Sequence, residues 1–418
     1  MILSRRRMIM GLGAASATAT ATAAAAPAVP SAAPPVPAPS LPSLPDHRNF
    51  SFQDVYLDAA FVHPLGLWAY ASASEYNAQR LHDPSSVGPG RNQRDAAVDR
   101  FASLINASPE DIAVVPSTMT GENLVVESLG IGRDAGVVTD ALHYDASLVL
   151  YAELRRQGVP IGIAPISDNR IKLEDLRALI TPKIRLISVS LVAADTGFTH
   201  DLAELCSVAH AHGALVYADI IQAAGAIPID VKESGVDFCC CGTYKWLLGE
   251  FGTAFLYVRP DRLERLRRVQ VGWRQIVHQG SHRFPFDPRG SIAEDYTLRG
   301  DAAGLFEVST PAWGPLATAV AGLDYIHAQG VAAIAGYRLP LLERLRQELP
   351  ARGFLPLTPR DSRSAIVAFA HRDAQKRWAA RLRAARVRLS LYPHRIRISV
   401  SVYNTMEDIE QLLETLRV

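Results

Sequence analysis

Short, almost wholly apolar runs recur along the middle of the chain, and polar or amphipathic stretches separate them. Strands buried on both faces have this character, which is typical of a parallel sheet covered by helices. One intervening stretch, 202–212, is preceded by polar residues and followed by Gly213, as expected for a helix. The alternation predicts an α/β fold. The predicted strands are 112–115, 136–139, 186–190, 214–218, 238–242 and 254–258.

The pattern changes from about residue 310 onward, where long Ala-rich and Leu-rich stretches precede short strands. We therefore expect a large domain at 47–309, with an N-terminal segment that reaches the other domain, and a smaller α+β domain at 310–418. A cleft between two such domains is the natural place for a ligand. The elements predicted for the smaller domain are helices at 311–328, 339–349 and 406–416 and strands near 365–368 and 396–399.

The first residues have the character of a targeting segment. Arg5 and Arg6 follow a serine and precede an apolar run of Gly, Ala and Thr. Two adjacent arginines before a weakly apolar run favour a twin-arginine export signal at 1–26, and an ordinary secretory signal is the alternative. Residues 27–46, rich in Pro, Ala and Ser, are expected to form a linker. We expect a periplasmic or secreted protein, with the twin-arginine translocase as its partner during export.

The composition argues against several kinds of partner. Lys plus Arg (43) nearly equal Asp plus Glu (42), so no basic surface for nucleic acid is indicated. Beyond the leader, no apolar stretch reaches the roughly 20 residues that span a bilayer, so we expect no membrane contact in the mature form. The cysteines are Cys206 and the run 239–241, which lacks the spacing of metal ligands. We expect buried cysteines and no metal site.

Two charged residues follow neighbouring predicted strands. Asp219 comes directly after strand 214–218, and Lys245 follows strand 238–242. Because open α/β sheets bind ligands beyond the carboxyl ends of their strands, both side chains should face one crevice. Pyridoxal 5'-phosphate (PLP) needs such a pair, since a lysine amine captures its aldehyde as an imine and a carboxylate keeps its pyridine nitrogen protonated. The alternatives are an aspartate that caps a helix and a lysine on the surface.

The sequence around these two residues resembles the class V aminotransferases, a fold-type I group of PLP-dependent enzymes that includes cysteine desulfurases, kynureninase and isopenicillin N epimerase. The resemblance implies a large domain with a mainly parallel sheet, a smaller α+β C-terminal domain and a homodimer. The residues that carry it are Asp219, Gln222, Asp237, the run Tyr244-Lys245-Trp246-Leu247 and Gly252.

The resemblance implies contacts with the ring of the cofactor and with the substrate. Gln222 would hydrogen-bond the phenolic oxygen, and His143 would stack on the pyridine ring, although a buried structural histidine is the alternative there. Arg397, in the run Ile396-Arg397-Ile398-Ser399, would bind the substrate carboxylate, which suits a planar guanidinium. A surface arginine on an edge strand is the alternative. His63 would reach the substrate, and a structural histidine is an equal alternative.

The resemblance also implies contacts with the phosphate. Thr118 and Thr120 lie in a turn that opens a helix, where backbone N–H groups favour an anion. Thr243 would add a further contact. Thr310, before Pro311, would reach the phosphate of the neighbouring subunit's cofactor, so the active unit would be a homodimer.

The chain departs from the family pattern at several points. Tyr244 replaces the usual histidine before the lysine, Gly242 replaces a phosphate-binding serine, and the loop around Ala194 and Asp195 lacks the usual asparagine. No cysteine occurs between residues 350 and 418, where desulfurases carry their nucleophile. These departures favour the isopenicillin N epimerase-like branch, to which the exported PLP enzymes of pyoverdine maturation are similar.

The leading hypothesis is an exported PLP-dependent enzyme that acts on the amino group of an amino acid or a glutamyl-type or peptide amine. Lys245 would act as the general base at the α-carbon, with transamination or epimerisation as the result. One alternative is a C–S lyase or a desulfurase-like enzyme without a persulfide cysteine. Another is a catalytically silent binding protein of the same fold.

Overall fold

The structure, a computed structural model, describes residues 43–50, 52–86 and 93–417, all within the unit Pro39–Val418. The predicted export signal and residues 27–42 of the predicted linker lie outside the described residues. The strands are β1 (Val55–Tyr56), β2 (Ile112–Val115), β3 (Gly136–Asp140), β4 (Ile161–Ala164), β5 (Ile184–Ser190), β6 (Leu215–Asp219), β7 (Phe238–Gly242), β8 (Ala254–Val258), β9 (Ile276–Gln279), β10 (Tyr296–Leu298), β11 (Leu355–Pro356), β12 (Ile366–Ala370), β13 (Val387–Arg388), β14 (Ser390–Tyr392) and β15 (Arg395–Ser399). The helices are α1 (Leu67–His82), α2 (Gln93–Leu104), α3 (Thr118–Ser128), α4 (Asp145–Arg156), α5 (Leu173–Ala178), α6 (Leu202–Ala211), α7 (Val231–Ser234), α8 (Ala302–Phe306), α9 (Trp313–Gln329), α10 (Val331–Glu348), α11 (Ala374–Ala384) and α12 (Met406–Thr415).

Seven strands form the large sheet, in the order β2-β8-β7-β6-β5-β3-β4. The strands from β7 to β4 run parallel, and β8 runs antiparallel to both of its neighbours. Helices cover the sheet, and its central strands are buried along their whole length. Burial on both faces explains why these strands are continuously apolar. The α/β class predicted from the sequence is confirmed.

A second sheet has four strands, in the order β11-β12-β15-β14, all antiparallel. Its core contains Trp378 of α11 and Leu412 of α12, which pack with Ile396 and Ile398 of β15. β15 thus turns its even-numbered residues toward these helices. Since neighbouring side chains of a strand point to opposite faces, Arg395 and Arg397 lie on the other face.

The N-terminal segment joins this second sheet region. β1 pairs in parallel with β13, and Leu57 packs in the core of the second sheet. Helix α9 packs instead in the core of the large sheet, through residues such as Leu316 and Leu323. The predicted boundary between the two domains at residue 310 stays a prediction. Helix α10 is longer than the predicted 339–349 and continues through Pro340.

All four cysteines are free and buried, as predicted for small apolar side chains. Three of them lie in β7, where burial raises the pKa of each thiol. Within residues 43–50, 52–86 and 93–417, no cluster of His, Cys, Asp or Glu has the arrangement of a metal site. None of the helices in the same residues is long and apolar enough to cross a bilayer.

Candidate active site

The carboxyl ends of three parallel strands place the predicted site at one edge of the large sheet. In the register of the sheet, Ser190 of β5 lies opposite Asp219 of β6, and Asp219 lies opposite Cys240 of β7. Lys245 follows in the turn after β7. The structure therefore brings Asp219 and Lys245 to the same edge, as the strand pattern predicted.

Lys245 is held in a tight, buried turn. The amide N–H of Leu248 donates to the carbonyl of Lys245 at 2.9 Å, and Leu248 adopts a left-handed backbone with φ of 62°. The amine makes no hydrogen bond or ion pair with any described residue. Burial lowers the pKa of Lys245 to about 8, although the Asp219 carboxylate opposes this shift. A substantial fraction of the amine is therefore neutral, and hence nucleophilic, near pH 8.

Asp219 is buried at the end of β6. Its Oδ1 accepts a hydrogen bond from the amide N–H of Ile221 at 2.9 Å. Burial raises the pKa of Asp219 to about 6, and both this hydrogen bond and the nearby His143 oppose the increase. A buried carboxyl group of this kind gains stability from a cation placed beside it, such as a protonated ring nitrogen.

Gln222, three residues after Asp219, is hydrogen-bonded to Trp246, which directly follows Lys245. The Gln222 amide donates to the carbonyl of Ala60 at 2.9 Å, and its oxygen accepts from the indole N–H of Trp246 at 2.9 Å. An amide nitrogen carries two hydrogens, so one donor of Gln222 stays available for an oxygen of a ligand. The guanidinium carbon of Arg338 lies 5.3 Å from the centroid of the Trp246 ring, and the side chain donates to the carbonyl of Ala226.

His143 belongs to a buried polar network centred on Glu122. The Nε2 of His143 lies 3.1 Å from Glu122 Oε1, and its Nδ1 lies 2.9 Å from Ser190 Oγ. The same carboxylate accepts from the hydroxyls of Ser147 and Tyr151, each at 2.6 Å, and from the hydroxyl of Ser188 at 2.8 Å. Glu122 therefore fixes the orientation of the His143 ring.

The charges of this pair are coupled. Burial lowers the pKa of His143, but the Glu122 carboxylate has the opposite effect, and the net shift is upward. Burial likewise raises the pKa of Glu122, but His143 and the hydroxyl donors around the carboxylate make the net shift downward. The two shifts favour an ion pair of imidazolium and carboxylate.

The start of α3 lies beside β7, at the level of Gly242. Gly121 allows this close approach, because a Cβ at that position would lie 2.5 Å from the sulfur of Cys240. The hydroxyl of Thr118 accepts from the amide of Gly242 at 2.9 Å, and Ser117 caps the helix by accepting from the amide of Thr120 at 3.1 Å. The first-turn N–H groups have no partner inside the helix, so this end suits a phosphate.

Within the described residues, the hydroxyls of Thr243 and Thr310 make no hydrogen bond with the start of α3. Thr243 is buried, and its hydroxyl donates to backbone carbonyls of Glu250 and Thr253. Thr310 is exposed and lines a cavity of about 790 Å³ together with Glu250 and Trp313. Their contacts with phosphate stay predictions. The exposure of Thr310 is compatible with a role toward a second subunit.

Arg397 reaches from β15 to the loop after β5. One terminal nitrogen donates to the carbonyl of Ala194 at 3.0 Å, and the other donates to Asp58 at 3.1 Å and to Ser390 at 2.7 Å. Its Nε is buried and has no partner among the described residues. An unpaired buried donor is costly, so a ligand carboxylate that accepts a hydrogen bond from this nitrogen would be favourable.

His63 is enclosed by the protein. Its Nδ1 lies 2.8 Å from the carbonyl of Pro64, and its Nε2 lies 2.7 Å from the hydroxyl of Ser401. The rings of Phe50, Trp246 and Tyr403 surround it, and burial lowers its pKa to about 4. Both nitrogens are thus engaged, which favours the structural alternative for His63. Its contact with the substrate stays a prediction.

The residues present fit PLP. The unpaired amine of Lys245, the buried carboxyl group of Asp219, the available amide N–H of Gln222 and the N-terminal end of α3 lie along one edge. They match the aldehyde, ring nitrogen, phenolic oxygen and phosphate of the cofactor, respectively. Bound PLP would be held by Lys245, Asp219, Gln222, His143 and the start of α3.

Sequence reasoning missed two carboxylates of this site. Glu122 has the appearance of an ordinary polar residue in a helix, and Asp58 lies far along the sequence from Arg397, the residue with which it pairs. The sequence does contain an indication of the role of Glu122. Glu122 lies between Gly121 and Leu124 on the face of α3 that becomes buried, where a charge needs a partner.

Comparisons with known proteins agree with this geometry. The profile of the family "Aminotransferase class-V" matches residues 91–412. The uncharacterized aminotransferase YcbU of Bacillus subtilis is 28% identical over 342 residues, which cover 81% of this chain and 87% of that protein. A cysteine desulfurase of Klebsiella pneumoniae is 28% identical over 295 residues, which cover 69% of each chain.

Solved structures share the fold. The cysteine desulfurase CsdA of Escherichia coli superimposes with a TM-score of 0.74 at 20% identity, covering 87% of this chain and 94% of that one. The cystine C–S lyase C-DES superimposes with a TM-score of 0.76 at 21% identity, covering 87% and 97%. Since the family profile spans most of the chain, the protein belongs to the class V aminotransferase family and is a PLP-dependent enzyme of fold-type I.

Proposed function

We propose that the protein is an exported enzyme that acts on the amino group of an amino acid or peptide amine bearing a nearby carboxylate. The observation that carries this proposal is the buried, unpaired Nε of Arg397. Arg397 also lies close enough to Lys245 to contribute to the lowering of its pKa. A substrate carboxylate bound by Arg397 would bring its amine toward the Lys245 side of the site.

The residues suggest how the reaction proceeds. Bound PLP supplies an electron-withdrawing ring that acidifies the α-carbon of the attached amine. Lys245, whose pKa of about 8 matches a general base at neutral pH, moves the proton at that carbon. Transamination or an epimerisation-like outcome would follow, as in the isopenicillin N epimerase-like branch.

A C–S lyase or desulfurase-like activity is the second candidate, because several relatives carry those names. Persulfide transfer needs an accessible thiolate. All four cysteines are buried, and burial raises the pKa of each one. These observations favour an activity that does not pass sulfur to an enzyme cysteine.

A substrate panel tests the proposed function. The holoenzyme would be incubated with amino acids and with short glutamyl peptides, and the products would be followed by mass. Conversion at the amine supports the proposal, whereas sulfide release from cysteine favours the second candidate. A protein that binds PLP but converts no amine would be a silent binding protein of the same fold.

Replacing Arg397 by methionine is expected to lower kcat/KM by roughly tenfold to a hundredfold, because a charge-assisted hydrogen bond is lost. The loss should appear mainly in KM, while cofactor absorbance stays unchanged. Arg388→Met is the matched control, since Arg388 pairs with Asp54 at 2.7 Å on an exposed part of β13. Equal kinetics for Arg397→Met and wild type would contradict the substrate role.

We also propose that the active unit is a homodimer. Phe251 and Trp273 are more than half exposed. Phe251 follows Glu250, which lines the same cavity as Thr310. The segment of Trp273 also lies close to that of Thr310, because a Cβ on Gly272 would collide with the carbonyl of Val308. Large exposed apolar side chains mark interfaces. Light scattering of the holoenzyme should give the mass of two chains, and a monomer would exclude the dimer.

Export by the twin-arginine route gives a further expected result. A fusion of residues 1–45 to a folded reporter should carry the reporter to the periplasm, and changing Arg5 and Arg6 to lysine should retain it in the cytoplasm, because this route depends on the arginine pair. The unchanged fusion is the control. Continued export of the lysine variant would reject the twin-arginine assignment and favour an ordinary secretory signal.

A further inference from the structure

A second arginine lies beside the expected carboxylate contact. Arg395 and Arg397 are two residues apart on β15, so their side chains lie on the same face of the strand, about 6 to 7 Å apart along it. Both reach the loop that follows β5. Arg397 bonds the carbonyl of Ala194, and Arg395 bonds the carboxylate of Asp195 at 2.9 Å.

The two arginines differ in how firmly they are held. The side chains of Arg397 and Asp58 are only 6% and 14% exposed, so their ion pair is enclosed. The side chains of Arg395 and Asp195 are 25% and 39% exposed. Ion pairs in contact with solvent contribute little stability, so another carboxylate can share or replace Asp195 at small cost.

The plane of the Arg395 guanidinium is restricted by a neighbouring ring. The guanidinium carbon lies 4.1 Å from the centroid of the Tyr392 ring, a stacking contact that restricts the plane of the group. A guanidinium carries five N–H donors. Among the described residues only Asp195 accepts from this one, through a single nitrogen, so most of its donors can serve a ligand.

We propose that Arg395 binds a second acidic group of the substrate, so that the enzyme acts on amines that carry two carboxylates. This inference rests on the proposed function, which supplies the reacting amine, and it adds the binding of a distal acidic group. Arg397 binds the carboxylate near the amine. Arg395 binds the distal carboxylate, which shares or replaces the contact with Asp195.

Binding of unreactive acids tests the inference without turnover. Glutarate carries two carboxylates and butyrate one, and neither has an amine. Calorimetric titration of the holoenzyme should show that glutarate binds at least about tenfold more tightly than butyrate, the effect expected of one charge-assisted contact. Equal affinities in the wild-type enzyme would overturn the proposal.

Variants assign the preference to Arg395. Arg395→Met should lose the glutarate preference and leave butyrate binding unchanged, whereas Arg395→Lys should keep part of it. Asp195→Asn should bind glutarate more tightly, because a competing carboxylate is gone. Arg388→Met is the control and should behave like wild type. If Arg395 and Asp195 only link the loop to the sheet, Asp195→Asn will not tighten glutarate binding, and the proposal fails.

The two proposals can fail separately. Cofactor absorbance and the thermal midpoint would be recorded for each variant, so that a variant that does not fold is recognised. If the Arg395 variants do not fold, the affinity of Asp195→Asn for glutarate tests the proposal by itself. Preferential glutarate binding by a holoenzyme that converts no amine would refute the proposed function and leave this site standing. Turnover of monocarboxylic amines without any glutarate preference would refute this inference and leave the proposed function standing.

Discussion

Replacing Lys245 by alanine is expected to abolish covalent attachment of PLP and to lower turnover by roughly 10²- to 10⁴-fold, because the nucleophile for the aldehyde and the base at the α-carbon are lost together. The visible absorbance of the purified protein should disappear. Borohydride reduction followed by peptide mass mapping should fix the cofactor on Lys245 in the wild-type protein.

The chain offers matched controls for this experiment. It contains only four other lysines, Lys172, Lys183, Lys232 and Lys376. Lys183 is exposed in solvent, so Lys183→Ala should keep full colour and activity. Cofactor uptake by the apoprotein should accelerate as the pH rises through about 8, where the Lys245 amine loses its proton. Cofactor mapped to another lysine would overturn the assignment.

Replacing Glu122 by glutamine is expected to have the largest effect on stability. The carboxylate accepts hydrogen bonds from three hydroxyls and faces His143, all in the interior. The amide N–H of a glutamine would face the hydroxyl groups that now donate to the carboxylate. The buried imidazolium of His143 would also lose its anionic partner. Breaking a buried ion pair from one side costs about 3 to 5 kcal/mol. Chemical denaturation of the holoenzyme would measure this loss.

The pH dependence of that loss follows from the two pKa shifts. The pKa of Glu122 is below its usual 4.5, so its contribution is present above pH 4.5 and is lost as the pH falls through the lowered value. The pKa of His143 is above its usual 6.5, so its contribution is present below pH 6.5 and is lost as the pH rises through the raised value. The difference from wild type should be largest between these limits.

Glu127→Gln is the matched control for Glu122→Gln. Glu127 lies on the same helix, and its side chain faces solvent, so its substitution should change the free energy of unfolding by less than about 0.5 kcal/mol. A similarly small effect for Glu122→Gln would contradict the role assigned to the network. A similar loss at all pH values would show that packing, rather than the charge of His143, is what Glu122 supports.

The strands of the large sheet were predictable because they are buried on both faces. Six were predicted from their apolar runs, and their bounds agree within about two residues. Strand β4 was missed, since it lies at the edge of the sheet, is only partly buried and contains Gly162. Helix α1 was missed because it buries little more than Ala69 and Tyr76, which leaves no clear apolar stripe.

The site was predictable where one residue performs one task at a strand end, as for Asp219 and Lys245. The network of Glu122 was not, because the partners of a buried charge come from distant parts of the chain. Ser147 lies on α4 and Ser188 on β5. The pairing of Arg397 with Asp58 joins opposite ends of the chain in the same way, and no local pattern encodes such contacts.

The pairing of β1 with β13 has a consequence for biosynthesis. Val55, which comes soon after the expected export signal, has its strand partner in Val387, near the other end of the chain. At about 5 to 20 residues per second, the ribosome needs tens of seconds to make the intervening sequence. During that time β1 has no native strand partner. Chains that end before β13 cannot supply one, so β1 can pair only when synthesis of the chain is nearly complete.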